Sequence, residues 1–168
     1  LAMGLWRDER ESNLLDGGTP YYATYQCSDG KWMAVGAIEQ QFFAAMLSGL
    51  GIDETLYGAR DDRSLWPRQK ALLQQIFGSR TRDEWAKQFE GLDACVTPVL
   101  SMHEAPLHPH NAARQVFMKL GAIQPSPAPR FSNTLCAVRM MGQLPGQEVW
   151  PIHWTHRSNS DNYSGAMQ

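Results

Sequence analysis

The chain has 168 residues, 43% of them hydrophobic, and a formal net charge of −2 at pH 7; that is enough length for one domain with a sizeable core, and it gives no electrostatic basis for binding nucleic acid or an anionic membrane surface. No apolar run approaches the roughly 20 residues of a membrane helix, and the opening LAMGLWRDERES lacks the positive n-region and long apolar core of a signal peptide. Three scattered cysteines, Cys27, Cys95 and Cys136, form no CxxC pair, so they read as reduced thiols of a cytoplasmic protein and as small core residues.

Residues 1–6 are a short apolar start that could end a longer helix, and a beginning on Leu reads as a cut or a tag remnant. NLLDGGTP, residues 13–20, is a loop, since Asp-Gly-Gly and Thr-Pro are turn chemistry. YYATYQC, residues 21–27, is aromatic and strand-prone. Ser28-Asp29-Gly30 joins it to the apolar run 32–37, which makes a hairpin. Gly36 and Ala37 offer a tight turn with room for a ligand. Glu39 then stands at a helix entrance, and Phe42, Phe43, Met46, Leu47 and Leu50 form one apolar stripe that Gly51 ends.

About one helical turn is expected between Ile52 and Gly58. A longer helix begins near Ser64, with Pro67 in its first turn and Leu65, Leu72, Leu73, Ile76 and Phe77 as its stripe, up to Gly78. Thr81 with Glu84 is a capping box for a short helix presenting Trp85 and Phe89 on one face. ACVTPVL, residues 94–100, predicts a third strand, and Pro98 confines it to an edge. Ser101 with Glu104 predicts a second capping box before a helix that Pro106 interrupts. A turn at residues 108–111 leads into one or two helical turns, residues 116–123 predict one further strand, and QPSPAPR is extended. The fold class is therefore α+β: a small antiparallel sheet of about three strands with helices packed on one side. Its expected organisation is a lead-in over 1–13, a small α+β domain over 14–123, a Pro-rich return linker over 124–146 and an atypical, partly disordered tail over 147–168, in which Trp150 and Trp154 could pack back.

A lone acid between a strand and a helix has two readings. Glu39 could serve the helix, its charge meeting the positive end of the macrodipole. Or it could be a catalytic carboxylate aimed from the corner into a pocket. The helix terminus favours its charged form, and burial against Ile38 and the strand opposes it. Asp16 reads as a loop support through Asx-type bonds. His108 with His110, and His153 with His156, lack partners at ligand spacing, so no metal is expected. His103 is expected to face solvent.

AVGAIEQQFF resembles the signature of the α-methylacyl-CoA racemases, within the family III CoA-transferase superfamily. LLDGGTPYYATY before it, and DACVTPVLS, EAPLHPHNAAR and APRFSNT after it, resemble neighbouring segments of the same family in the same order. The resemblance implies that Glu39 is one of two proton-transfer groups acting at the carbon next to an acyl-CoA thioester. It implies that Leu15, Tyr22 and Ile38 line the acyl pocket, although for Leu15 and Ile38 ordinary core packing is an equal reading. It implies no cofactor beyond the acyl-CoA substrate. Two departures stand out: Gln40 replaces a proline common in the racemases, and residues 148–168 do not continue into the family's return helix. The resemblance further implies that the chain corresponds to the small domain, with a large CoA-binding domain carrying the His and Asp of the second proton-transfer group lying outside it, and that subunits interlock as a homodimer. A stand-alone acyl-CoA-binding or protein-interaction module is the alternative, and a CoA-transferase relative is a second one, disfavoured by GAIEQQF at the corner.

Overall fold

The computed structural model describes residue 4, residues 6–134 and residues 136–138. The expectations for the tail, including Trp150, Trp154, His153 and His156, lie outside the described residues. The chain divides into two compact units, Leu1–Ala105 and Pro106–Gln168, a division placed inside the expected 14–123 span.

The first unit is built on the expected hairpin. Strands β1 (Tyr22–Gln26) and β2 (Trp32–Gly36) pair antiparallel, with Tyr22 opposite Gly36 and Gln26 opposite Trp32. Strand β3 (Val96–Pro98) joins the other side of β2, again antiparallel, giving the order β1-β2-β3. Pro98 is thus in an edge strand, where a missing N–H can be tolerated. The opposite edge is closed by a side chain: the Gln26 N–H donates to Gln74 Oε1 at 3.1 Å, and Gln74 Nε2 donates to the Gln26 carbonyl at 2.9 Å. One glutamine amide so pairs both backbone groups of Gln26 at the end of that edge.

Strand periodicity separates two faces. Tyr25, Met33, Val35 and Val96 point into the core, each at most 7% exposed. Helices α1 (Gln40–Leu50), α2 (Glu54–Tyr57), α3 (Trp66–Phe77) and α4 (Arg82–Gln88) deliver Phe43, Met46, Leu47, Tyr57, Leu73, Phe77, Trp85 and Phe89 to the same core. Tyr25 stacks on Phe77 with ring centres 5.2 Å apart, and Phe77 meets Trp85 edge-on at 5.4 Å. Gly49 is the small residue that lets α1 meet Phe89, since a Cβ there would come within 2.5 Å of the ring. The expected stripe of α3 is present, and it also carries Trp66 and Gln69, both buried.

The helix boundaries follow the signals in the sequence. Gly51 ends α1 in the left-handed conformation, φ 69°. Thr81 and Glu84 make the complete capping box of α4. The Ser101–Glu104 pair exchanges the expected bonds, Ser101 N–H to Glu104 Oε2 at 2.9 Å and Glu104 N–H to Ser101 Oγ at 3.2 Å. Only a 3₁₀ turn follows, Ala105–Leu107, because Pro106 has no N–H to continue an α ladder.

The second unit holds α5 (Pro109–Ala113) and a hairpin of β4 (Phe117–Leu120) and β5 (Ala122–Pro125). The single strand expected over 116–123 is therefore two strands. Gly121, at φ 74°, reverses the chain between Leu120 and Ala122, which face each other across the ladder. The cysteine expectation is corrected in part: Cys27 is buried, but Cys95 and Cys136 are exposed free thiols rather than core residues.

Candidate functional site

The outer face of the sheet carries Tyr22, Thr24, Ala34, Gly36 and Thr97, all partly or fully exposed. Small side chains there leave an open groove of about 890 Å³, walled by the 11–17 loop on one side and by Lys70 and Gln74 of α3 on another. The loop is held from within. Asp16 accepts the Asn13 N–H at 2.8 Å, Asn13 Nδ2 at 2.7 Å and the Gly18 N–H at 3.0 Å. Partial burial pushes the Asp16 carboxyl up, but these bonds outweigh it and hold the group below its usual range. The Asx-type support expected of Asp16 is thus in place. Gly18 cannot be replaced cheaply, because a Cβ would lie 2.4 Å from the Asn13 carbonyl oxygen. The Lys70 ammonium fastens the loop to α3 through the Gly17 carbonyl.

Strand β2 leads to the corner that bears Glu39. The Gly36 N–H donates to the Cys95 carbonyl at 2.8 Å, and the Ala37 N–H donates to the Tyr21 carbonyl at 2.9 Å. The Ile38 N–H closes back on the Gly36 carbonyl at 2.9 Å, so the reversal is centred on the fully buried Ala37. Gly36 is therefore not the turn residue. A Cβ there would make only ordinary contacts, 3.8 Å to the Cys95 carbonyl oxygen and 4.0 Å to the Tyr22 ring; what its absence leaves is open groove.

Glu39 is the N-cap of α1, in extended backbone with φ −74° and ψ 148°. Its carbonyl accepts the Phe43 N–H at 2.9 Å, but its side chain makes no capping hydrogen bond. Glutamate is not among the residues preferred at an N-cap, and the usual benefit of that position comes from a side-chain acceptor. The Glu39 side chain thus makes no cap, while its charge still lies at the positive end of α1, so the macrodipole reading stands beside the catalytic one. The expected burial of this acid is also absent, since Glu39 is exposed.

The residues named from the sequence are brought together in part. Tyr22 lines the groove directly opposite Gly36, and Ile38 is half-buried next to Glu39. Leu15 is 54% exposed on its loop, so core packing, one of its two readings, is ruled out. His103 faces solvent as expected. Among the described residues no group of three or more His, Cys, Asp or Glu is placed to hold a metal ion, and no helix is long and apolar enough to cross a membrane.

Two side chains in this region were given no functional role from the sequence. Arg60 lies over the Tyr21 ring at 4.4 Å and the Phe43 ring at 5.0 Å, and its Nη2 donates to the Ile38 carbonyl at 2.5 Å. Cys95 lines the groove with φ 50°. Partial burial, then the charges of Asp93 and Glu39, push its thiol pKa up. A long-range arginine contact leaves no local sequence signal, whereas Cys95 stands in a segment, DACVTP, that was already of interest.

Residues 3–148 match the family model described as CoA-transferase family III. The chain is similar to the α-methylacyl-CoA racemase of Mus musculus, 46% identical over 134 residues, and to that of Homo sapiens, 41% identical over 134 residues; each match covers 79% of this chain and 35% of the relative. It is also 32% identical over 131 residues to a CaiB/baiF CoA-transferase family protein of Caenorhabditis elegans, covering 74% of this chain and 36% of that protein. The chain thus spans about a third of the length of the curated relatives it matches.

Proposed function

The chain belongs to CoA-transferase family III, and from that premise we propose that it supplies the small-domain half of an α-methylacyl-CoA racemase site, with Glu39 moving a proton at the α-carbon of a 2-methylacyl-CoA thioester. The observation that carries the reading is the state of Glu39: an acid at an N-cap, exposed, with no capping bond, at a strand–helix corner three residues past Gly36, which lines the open groove as Glu39 itself does not. A carboxylate that makes no capping hydrogen bond is available to a substrate.

In this mechanism the Glu39 carboxylate takes the α-proton and becomes a carboxylic acid. The electron pair of the broken C–H bond passes into the thioester as an enolate. A second group on the opposite face returns a proton to the same carbon and inverts it. In the reverse direction Glu39 is the donor. The second group is the His–Asp pair of a large domain outside this chain, and two subunits associate so that each completes the other's site. Tyr22 borders the acyl chain with its ring, Ile38 supplies apolar surface at the corner, and the exposed Leu15 offers apolar surface from the loop.

The test is deuterium uptake at the α-carbon of a 2-methylacyl-CoA in heavy water by the chain combined with a separately prepared large domain of a relative, comparing the parent chain with Glu39→Gln. General acid–base catalysis is worth about 10²–10⁴-fold, so Glu39→Gln should lose exchange by that factor while still binding the thioester. Full exchange in Glu39→Gln would remove the proton-transfer role. A non-catalytic acyl-CoA-binding or interaction module is the second reading, favoured by the open outer face of the sheet; it would show thioester binding with no exchange in either protein. Transfer of CoA to a free acid would instead indicate a CoA-transferase.

A further inference from the structure

We propose that Arg60 is the positioning residue of the Glu39 corner: its guanidinium fixes the Ile38 carbonyl, and through that peptide plane it fixes the direction in which the Glu39 carboxylate projects. The inference rests on the proton-transfer reading of Glu39 for its functional meaning, but its geometry stands separately.

Arg60 reaches the corner from the link between α2 and α3, 22 residues along the chain from Ile38. Its side chain is 17% exposed. The two aromatic rings at 4.4 and 5.0 Å hold the guanidinium by cation–π attraction. Nε donates to Asp61 Oδ1 at 3.2 Å, and Asp61 Oδ1 also accepts the Tyr21 hydroxyl at 3.0 Å. Trp66 Nε1 donates to the Arg60 carbonyl at 3.0 Å, which ties down the backbone from which the side chain departs. From this anchored base Nη2 donates to the Ile38 carbonyl and Nη1 to Gln40 Oε1 at 3.4 Å. One planar fork thus grips the residue before Glu39 and the residue after it, which is a geometry an arginine offers and a lysine does not.

The position of Gly36 and Ala37 gives this grip its purpose. Ala37 is the reversal, and Glu39 follows two residues later in extended backbone without a side-chain cap. The corner peptide is therefore the lever that sets where the carboxylate points. An angular error there displaces the carboxylate at the end of its three-bond side chain, and proton transfer requires heavy-atom distances of about 2.6–3.2 Å.

Cys95 supplies a readout that does not depend on activity, because the Glu39 charge is among the causes that push its thiol pKa up, after burial and Asp93. The tryptic segment 88–114 contains Cys95 as its single cysteine, so its iodoacetamide labelling can be followed against pH by peptide-resolved mass spectrometry in the intact protein. Glu39→Gln removes one anionic neighbour and should speed Cys95 labelling at neutral pH, shifting the labelling profile towards lower pH. Arg60→Met should produce an acceleration in the same direction, and none further in the Glu39→Gln background. The sign is diagnostic, since loss of a cation by itself would slow labelling rather than speed it. Arg60→Lys keeps the charge and the ring contact but loses the fork, and should accelerate labelling less than Arg60→Met. It also decides the matter if Arg60→Met does not fold, as judged by circular dichroism.

In the exchange assay Arg60→Lys should lower kcat with KM little changed. Labelling profiles equal to the parent's, or shifted towards slower labelling, in a folded Arg60 variant would overturn the positioning role. Full exchange in Glu39→Gln would overturn the racemase reading instead, and the labelling result for Arg60 would still stand on its own.

Discussion

Arg82 does in the core-to-loop region what Arg60 does at the corner. Its side chain is 6% exposed, and it donates to Glu104 Oε1 and Oε2 at 2.8 Å each, to Asp83 Oδ1, and to the Val99 carbonyl at 3.0 Å. Glu104 also receives Lys31 at 3.1 Å, so β2, β3's exit and α4 meet at one carboxylate. Removing a buried guanidinium leaves its acceptors unpaired. Arg82→Met should therefore lower the unfolding free energy by about 2–4 kcal/mol, read from urea denaturation. The Arg82 guanidinium, the Ser101 N–H and Lys31 hold the Glu104 carboxyl well below its usual 4.5. A carboxyl lowered in the folded state lends stability above its unfolded value and loses it as protons bind. Stability should thus fall as pH drops below about 4.5, and Glu104→Gln should flatten that fall, which acid titrations followed by tryptophan fluorescence would reveal. At this scale the sequence was legible where partners are near neighbours, as for Asp16 and the Thr81–Glu84 pair. The long-range roles of Arg60 and Arg82 were not legible, because the Ile38 and Val99 carbonyls they reach lie 22 and 17 residues away and are groups common to every residue.

At the scale of elements, the capping box of α4 is a clean case of local chemistry specifying a boundary. Thr81 Oγ1 accepts the Glu84 N–H at 3.3 Å, and Glu84 accepts the Thr81 N–H at 2.8 Å. Thr81→Ala should cost about 1 kcal/mol, measured as a shift of the urea midpoint with unchanged slope. The same chemistry at Ser101 forms its bonds but does not give an α-helix, which shows that a cap starts a helix only if the following N–H groups exist to continue it. The β1–β2 hairpin was readable from two apolar runs and an Asp-Gly turn. The β4–β5 hairpin was not, since its reversal is a single glycine inside a moderately apolar run, and the run reads as one strand. Glu39 was correctly placed at the entrance of α1, yet whether its side chain caps the helix depends on a torsion that no sequence pattern records.

For the whole molecule, the decisive quantity is that the chain spans about a third of its racemase relatives. On the proposed function, one carboxylate is present and its opposite number lies elsewhere. The chain alone should show no α-proton exchange above background, and mixing it with a separately prepared large domain of a relative should restore exchange that Glu39→Gln then abolishes. Failure to restore exchange with a folded, associated partner would argue for the binding-module reading. The α+β class and the sheet were legible because alternation along strands and stripes along helices are properties of contiguous residues; the groove was not, because it arises from three segments meeting. That groove has a consequence for how such a protein changes over evolutionary time. Strand alternation assigns Tyr25, Met33 and Val35 to the core and Thr24, Ala34 and Thr97 to the open face. Substitutions of Thr24, Ala34 and Thr97 on the outer face therefore alter the depth and polarity of the groove with less effect on folding than substitutions of the buried set. Selectivity for whatever occupies it can drift by single residues while the scaffold is conserved.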